Sequence, residues 1–263
     1  MRAILCPTGS TEGFDERLDT ALALARALGG HISLLIASPV IELAAWEPFG
    51  GVALTADTVR ELRAEDEALA QRLETRLARD DVPYDVSVLD GDRFAALCAG
   101  ARFADVIVLG RDDMMLEDLV IAERCPVLAL PPQGWTDPVS PRAMVAWDGS
   151  RAAANAMKAA LPLLRRARQV DVVTIGGKGG GMGDDCDSSL ALRYLSRHAI
   201  HAELHRFPVS GTVAQTLLAT AGRLESDLLV MGLYGHSRLR EILLGGVTRE
   251  MIAQAGVALL LAH

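Results

Sequence analysis

Three glycines near the end of the chain, Gly232, Gly235 and Gly245, stand in a G-x2-G-x9-G spacing after the apolar run Leu-Leu-Val-Met at residues 228–231. Gly246, Val247 and Thr248 then open a helical stretch. Glycine has no Cβ, so such a loop can bring bare backbone N–H groups against an anion. The helix that follows adds unsatisfied N–H groups and the positive end of its dipole. Strand, glycine loop and helix start together make a phosphate-binding design. A loop of this kind leaves the C-terminal end of its strand, where open α/β sheets bind ligands.

Other residues with chemical capacity are less pointed. Asp148, in Asp148-Gly149-Ser150, suits a helix N-cap or a nucleotide contact, and the two roles are compatible. Thr8 stands at the matching place in the first half and would cap equally well. Residues 176–183 hold six glycines around Lys178, but Gly179 follows the lysine where G-x4-G-K-[ST] needs a hydroxyl. That stretch reads as a flexible connection. His198, His201 and His205 fall at a helix end, a turn and a strand, and need not converge. Asp184, Asp185 and Asp187 form an acidic run beside Cys186. Both groups read as solvated surface, and no metal site is expected. His236 reads as a solvent-facing loop residue. No G-x-S-x-G elbow, H-E-x-x-H pair or Ser/His/Asp set is present, so no catalytic residue is assigned and a weak ATPase is the most expected of it as an enzyme.

The elements that must position the glycine loop repeat along the chain. Strands are expected at residues 3–6, 31–36, 84–89, 106–109 and 127–130, and again at 143–147, 170–175, 203–206, 228–231 and 257–261. Helices are expected at 17–28, 58–78, 93–103 and 118–124, and again at 151–164, 188–198, 212–223 and 248–254. Alternating strands and helices imply a mostly parallel sheet with helices on both faces. Pro7-Thr8-Gly9-Ser10 aligns with Trp147-Asp148-Gly149-Ser150, and Ala104-Asp105 with Ser226-Asp227. The fold class is therefore α/β: two tandem doubly wound, Rossmann-like domains, each with a mostly parallel five-stranded sheet. Four prolines between Pro131 and Pro141 read as a stiff extended linker, giving domains at 1–133 and 142–263. The halves are expected to meet edge to edge through residues 127–130 and 257–261. After Gly110 the first half carries Arg111-Asp112-Asp113 and no glycine, so acids would repel a polyphosphate there and one nucleotide site per chain is expected.

Composition narrows the class. Half of the 263 residues are apolar but only 4% are aromatic, so the cores must be built from Ala, Leu, Val and Ile. A net charge of −8 argues against nucleic acid and anionic membrane as partners. Cys6, Cys98, Cys125 and Cys186 form no C-x-x-C pair and read as reduced and buried. No signal peptide or span of about 20 apolar residues is apparent, so a cytoplasmic protein is expected.

On the glycine spacing, Asp148 and the duplicated order of elements, the whole chain resembles the universal stress protein family in its tandem two-domain form. That resemblance implies adenine nucleotide α-hydrolase-like domains. It implies ATP as ligand, with ADP or AMP as the alternatives and Mg²⁺ alongside. It places Ala146 and Ile175 beside the adenine, Asp148 near adenine and ribose, Met231, Gly232 and Gly235 on the ribose side, and Gly245, Gly246 and Val247 on the outer phosphates. Position 246 is Gly where ATP-binding members carry Ser or Thr, and Thr248 is the nearest substitute hydroxyl. Trp147 adds bulk beside the pocket. The S-G-G-x-D-S loop of related adenylating enzymes is absent. The resemblance implies a stress-response sensor or binding module, an intrachain pseudo-dimer of the halves, and a homodimer of chains as a further option. A structural interaction protein with a decayed site and a slow ATPase are the competing readings.

Overall fold

The protein, seen as a computed structural model, is described over residues 1–9, 13–38, 56–176, 188–233 and 246–263. In the first half the strands are β1 (Ala3–Pro7), β2 (His31–Ser38), β3 (Tyr84–Asp90), β4 (Val106–Gly110) and β5 (Val127–Leu130). Its helices are α1 (Phe14–Leu28), α2 (Ala56–Leu77), α3 (Arg93–Ala101) and α4 (Leu116–Glu123). The second half has β6 (Arg142–Ala146), β7 (Gln169–Ile175), β8 (Glu203–Phe207), β9 (Leu228–Gly232) and β10 (Ala258–Ala262). Its helices are α5 (Arg151–Leu164), α6 (Ser188–Arg197), α7 (Val213–Arg223) and α8 (Gly246–Gln254).

Among the described residues ten strands form one sheet, in the order β3-β2-β1-β4-β5-β10-β9-β6-β7-β8. Every pairing is parallel except β5 with β10, where Leu128 lies opposite Leu260 in an antiparallel register. The inner strands β4, β5 and β10 are buried along their whole length, as continuous apolar runs require when helices cover both faces. The two outermost strands, β3 and β8, are the partly exposed, charged ones, which discourages edge-to-edge pairing. Side-chain alternation sorts the helices: α1, α2, α5 and α6 pack on one face, and α3, α4, α7 and α8 on the other. No helix among the described residues is long and apolar enough to cross a membrane.

The proline-rich segment is more closely held than an extended linker would be. Gly134, at φ 75°, closes a turn by donating its N–H to the Pro131 carbonyl at 2.9 Å. A Cβ at Gly13 would sit 2.5 Å from the Pro132 carbonyl oxygen, so the turn lies against the start of α1. Trp135 is buried in the core, and Arg168 donates its N–H to the Pro141 carbonyl at 2.9 Å. The segment is thus packed onto both halves. Gly13, in the left-handed region, is also the N-cap of α1, so Thr8 does not cap that helix; its hydroxyl donates instead to the Leu35 carbonyl at 3.1 Å.

One pair of aspartates plays matching parts in the two halves. Asp105 precedes β4 and accepts from the backbone N–H of Arg2 at 2.5 Å and Ala3 at 3.1 Å, pinning the start of β1. Asp227 precedes β9 and accepts from Arg142 N–H at 3.0 Å, pinning the start of β6. Their titrations diverge. The Arg2 N–H, foremost, holds the Asp105 carboxyl below its ordinary value, whereas burial, foremost, pushes the Asp227 carboxyl up. A lowered folded value contributes stability that is complete above the unfolded carboxyl value, about 3.9, and is lost as pH falls through the folded value. A raised value acts oppositely, costing stability at neutral pH and less as pH falls. Asp105→Asn is therefore expected to lower Tm at neutral pH more than Asp227→Asn, with the gap closing below about pH 4; equal shifts at neutral pH would contradict this.

Three of the cysteines, Cys6, Cys98 and Cys125, are free and buried. Burial pushes the Cys6 and Cys125 thiols up to about 12, so neither carries an appreciable thiolate population at neutral pH. Cys186 lies outside the described residues.

Candidate functional site

The strand order reverses direction between β6 and β9. From β6 the chain winds outward to β7 and β8, then returns across to β9 and β10. A crevice outside the carboxyl ends of the strands opens at such a point. Ala143, Met144 and Val145 of β6 pair with Leu228, Leu229 and Val230 of β9, which sets Ala146 and Met231 side by side at the carboxyl ends of their strands. Ile175 ends the neighbouring strand β7 and is buried. The sequence-expected residues Ala146, Ile175, Met231 and Gly232 are therefore gathered along one edge of the sheet.

The turn after β6 is built by its own side chains. Asp148 Oδ1 accepts from the Ser150 N–H at 2.9 Å, and Ser150 Oγ accepts from the Ala153 N–H at 3.0 Å. Ser150, not Asp148, is the N-cap of α5. Asp148 instead braces the turn that delivers the cap. Gly149, at φ 77°, makes this turn possible without backbone strain. Trp147 turns to the opposite face of the sheet from Ala146: it is buried in the core shared with α5 and α6, and its Nε1 has no hydrogen-bond partner among the described residues.

Gly232 has a packing reason of its own. A Cβ there would lie 2.5 Å from the Ala152 carbonyl carbon and from the Ala153 nitrogen. The end of β9 rests on the first turn of α5, whose Ala152, Ala153 and Ala156 leave room for it. Across residues 234–245, which include Gly235 and Gly245 and lie outside the described residues, the chain reaches α8. Gly246 is the first residue of α8 and is exposed, and a Cβ there would meet nothing within 4 Å. Val247 is partly buried against the core. Thr248 is only 4% exposed, so its side chain does not share the open face on which Gly246 stands.

The corresponding corner of the first half is occupied by the chain itself. Asp113 does not face outward, as a repelling acid would; its side chain is 2% exposed. Its two oxygens take Arg93 in a fork, at 2.6 and 3.2 Å, and Oδ1 also accepts from the Met115 N–H at 3.0 Å, just before α4. A carboxylate thus fills the position at a helix start that favours an anion, with a guanidinium as its counter-ion.

The histidines do not converge. His198 Nδ1 meets Arg165 at 3.1 Å, and His201 is exposed. His205 is not simply solvated: its Nε2 lies 2.8 Å from Asp171 and 4.0 Å from Glu203. Asp171 was not legible as a partner, because its approach to residues 203 and 205 depends on strand register. The acidic run at 184–187 and the lysine at 178 lie outside the described residues, as does His236.

Residues 185–263 match the family model described as the Universal stress protein family. A universal stress protein from Archaeoglobus fulgidus shares the fold at a TM-score of 0.76 and 16% identity, over 99% of this chain and 97% of that one. A putative universal stress protein from Pseudomonas aeruginosa is similar at a TM-score of 0.59 and 14% identity, over 100% and 93%. At these identities the structural likeness is one of fold, and it spans both halves. No curated protein matches the sequence.

Proposed function

We propose that this chain, a member of the universal stress protein family by its C-terminal residues 185–263, binds an adenine nucleotide at the edge of β6, β7 and β9 and acts as a nucleotide-responsive stress module. The observation that carries this is the reversal of strand order between β6 and β9, with Ala146 and Met231 side by side at the carboxyl ends of those strands, Ile175 ending β7 beside them, and α8 opening on the exposed, Cβ-free Gly246. ATP would set its base beside Ala146 and Ile175, its ribose near Asp148 and Gly232, and its phosphates toward Gly235, Gly245, Gly246 and Val247. The N–H groups of the first turn of α8, Thr248 among them, favour the phosphate charge. Mg²⁺ would accompany the outer phosphates. ADP or AMP is the expected alternative, because Gly246 offers no hydroxyl to a terminal phosphate. The halves, 1–133 and 142–263, would act as one pseudo-dimer with a single working site, since Asp113 and Arg93 close the other.

A second reading is favoured by Gly246 alone: a decayed site on a protein that works through protein partners. Titration calorimetry of the nucleotide-stripped protein with Mg-ATP separates the two. One site per chain is the expected result. Two sites would refute the closure by Asp113, and no binding at millimolar ATP would favour the decayed site. Steady phosphate release in the same samples would turn the reading toward a slow ATPase.

A further inference from the structure

We infer that Asp171, Glu203 and His205 form a binding site for a divalent transition metal of the zinc type, on the outer strands of the second half and at the opposite ends of the strands from the proposed nucleotide crevice. The parallel register of β7 and β8 sets Asp171 directly beside Glu203, and His205 follows two residues on, so all three share one face of the sheet. One donor atom from each lies within 4.8 Å of the others. Zinc held by imidazole nitrogen and carboxylate oxygen at about 2.0–2.2 Å sets its ligand atoms roughly 3.3 Å apart in a tetrahedron. The His205 Nε2 separations of 2.8 Å to Asp171 and 4.0 Å to Glu203 bracket that spacing, so only small side-chain rotations are needed.

The surroundings favour a cation of charge two. Asp171 is only 1% exposed on its side chain, while Glu203 is 61% exposed and His205 26% exposed. The two carboxylates bring two negative charges, one of them buried. The neighbouring guanidiniums are otherwise engaged: Arg142 bonds Gln169 at 2.9 Å and Glu225 at 3.3 Å, and Arg223 lies over the Phe207 ring at 4.8 Å. Gln169 Nε2 donates to both Asp171 oxygens, at 3.1 and 3.0 Å, and is itself held by Arg142. That is the kind of outer support that fixes a ligating carboxylate. Three protein ligands leave a fourth position for water or for a donor brought by a partner.

The first half supplies an internal control. Pairing along the strands puts Ser33 and Asp85 where the second half has Asp171 and Glu203. There His31 Nε2 meets Asp85 at 2.5 Å and Ser33 donates to the same oxygen at 2.8 Å, giving a carboxylate–imidazole pair with no second carboxylate. The test is calorimetric titration of the chelator-treated full chain with Zn²⁺ at neutral pH, with the visible spectrum of the Co²⁺ form as a second readout. Wild type is expected to bind one zinc that depends on this cluster. His205→Ala and Glu203→Gln are each expected to weaken that zinc at least about tenfold and to alter the Co²⁺ spectrum. His31→Ala is expected to leave both unchanged. Glu203 is exposed, so its substitution keeps the test valid if His205→Ala fails to fold. Absence of zinc binding in wild type, or binding undiminished in Glu203→Gln and in a folded His205→Ala, would overturn the site.

Discussion

Leu128→Asp is expected to cost the protein at least about 4 kcal/mol and to uncouple the unfolding of its two halves. Leu128 is 0% exposed and lies opposite Leu260 in the antiparallel pairing of β5 and β10, which among the described residues joins the strands of the two halves into one sheet. Removing a buried Leu side chain alone costs about 2–5 kcal/mol. A carboxyl in its place has no partner among Val108, Leu130 and Leu260, all members of the same apolar core, and must be buried neutral or not at all. The sum is a large share of the roughly 5–15 kcal/mol that holds a domain folded. Leu128→Met keeps volume and polarity, and is expected to cost less than about 1.5 kcal/mol. Urea unfolding followed by circular dichroism reads both. The aspartate variant should unfold early or in two steps, and elute as aggregate where the freed strand edges pair with other chains. A change below about 1 kcal/mol for Leu128→Asp would mean that the join does not bear on folding.

The sheet could be read from sequence because its signal is local. Residues 106–109 and 228–231 are apolar without a break, and only a strand covered on both faces tolerates that. Each expected strand is present, with no end shifted by more than two residues and 127–130 unchanged. The helix starts were harder. α1 begins at Phe14, three residues before the apolar periodicity suggests, because Gly13 caps it through its backbone conformation and carries no side-chain signal. α4 begins at Leu116, where Asp113 supplies the preceding N–H with an acceptor. Roles that depend on contact across the fold were not legible at all. Asp113 reads as a repelling surface acid until its fork with Arg93, twenty residues away, is seen. Trp147 reads as a neighbour of the crevice, but strand alternation turns it to the other face, into the core beneath α5. Asp148 and Ser150 both suit a cap, and only the geometry gives the cap to Ser150 and the brace to Asp148.

Gly246→Ser is expected to tighten Mg-ATP binding by roughly ten- to a hundredfold, and Gly235→Asp to weaken it by a similar factor. The first rests on what position 246 lacks and what it has room for. A hydrogen bond to a charged group contributes about 1.5–3 kcal/mol, and each 1.4 kcal/mol is tenfold in affinity. A Cβ at Gly246 meets nothing within 4 Å, and its backbone is outside the left-handed region, so serine enters without strain. Serine also forms helix more readily than glycine, so a gain in affinity would not come at the expense of α8. The second rests on charge: a carboxylate about 4 Å from a phosphate oxygen at an effective dielectric of about 20 opposes it by about 4 kcal/mol, before screening reduces the figure. Titration calorimetry measures both against wild type. Opposite shifts would fix the phosphates between β9 and the start of α8. Equal affinities in all three proteins would remove the phosphates from this loop. If wild type and Gly235→Asp bind nothing while Gly246→Ser binds, the missing hydroxyl is what silences an otherwise intact site, and the protein works without nucleotide in its natural form.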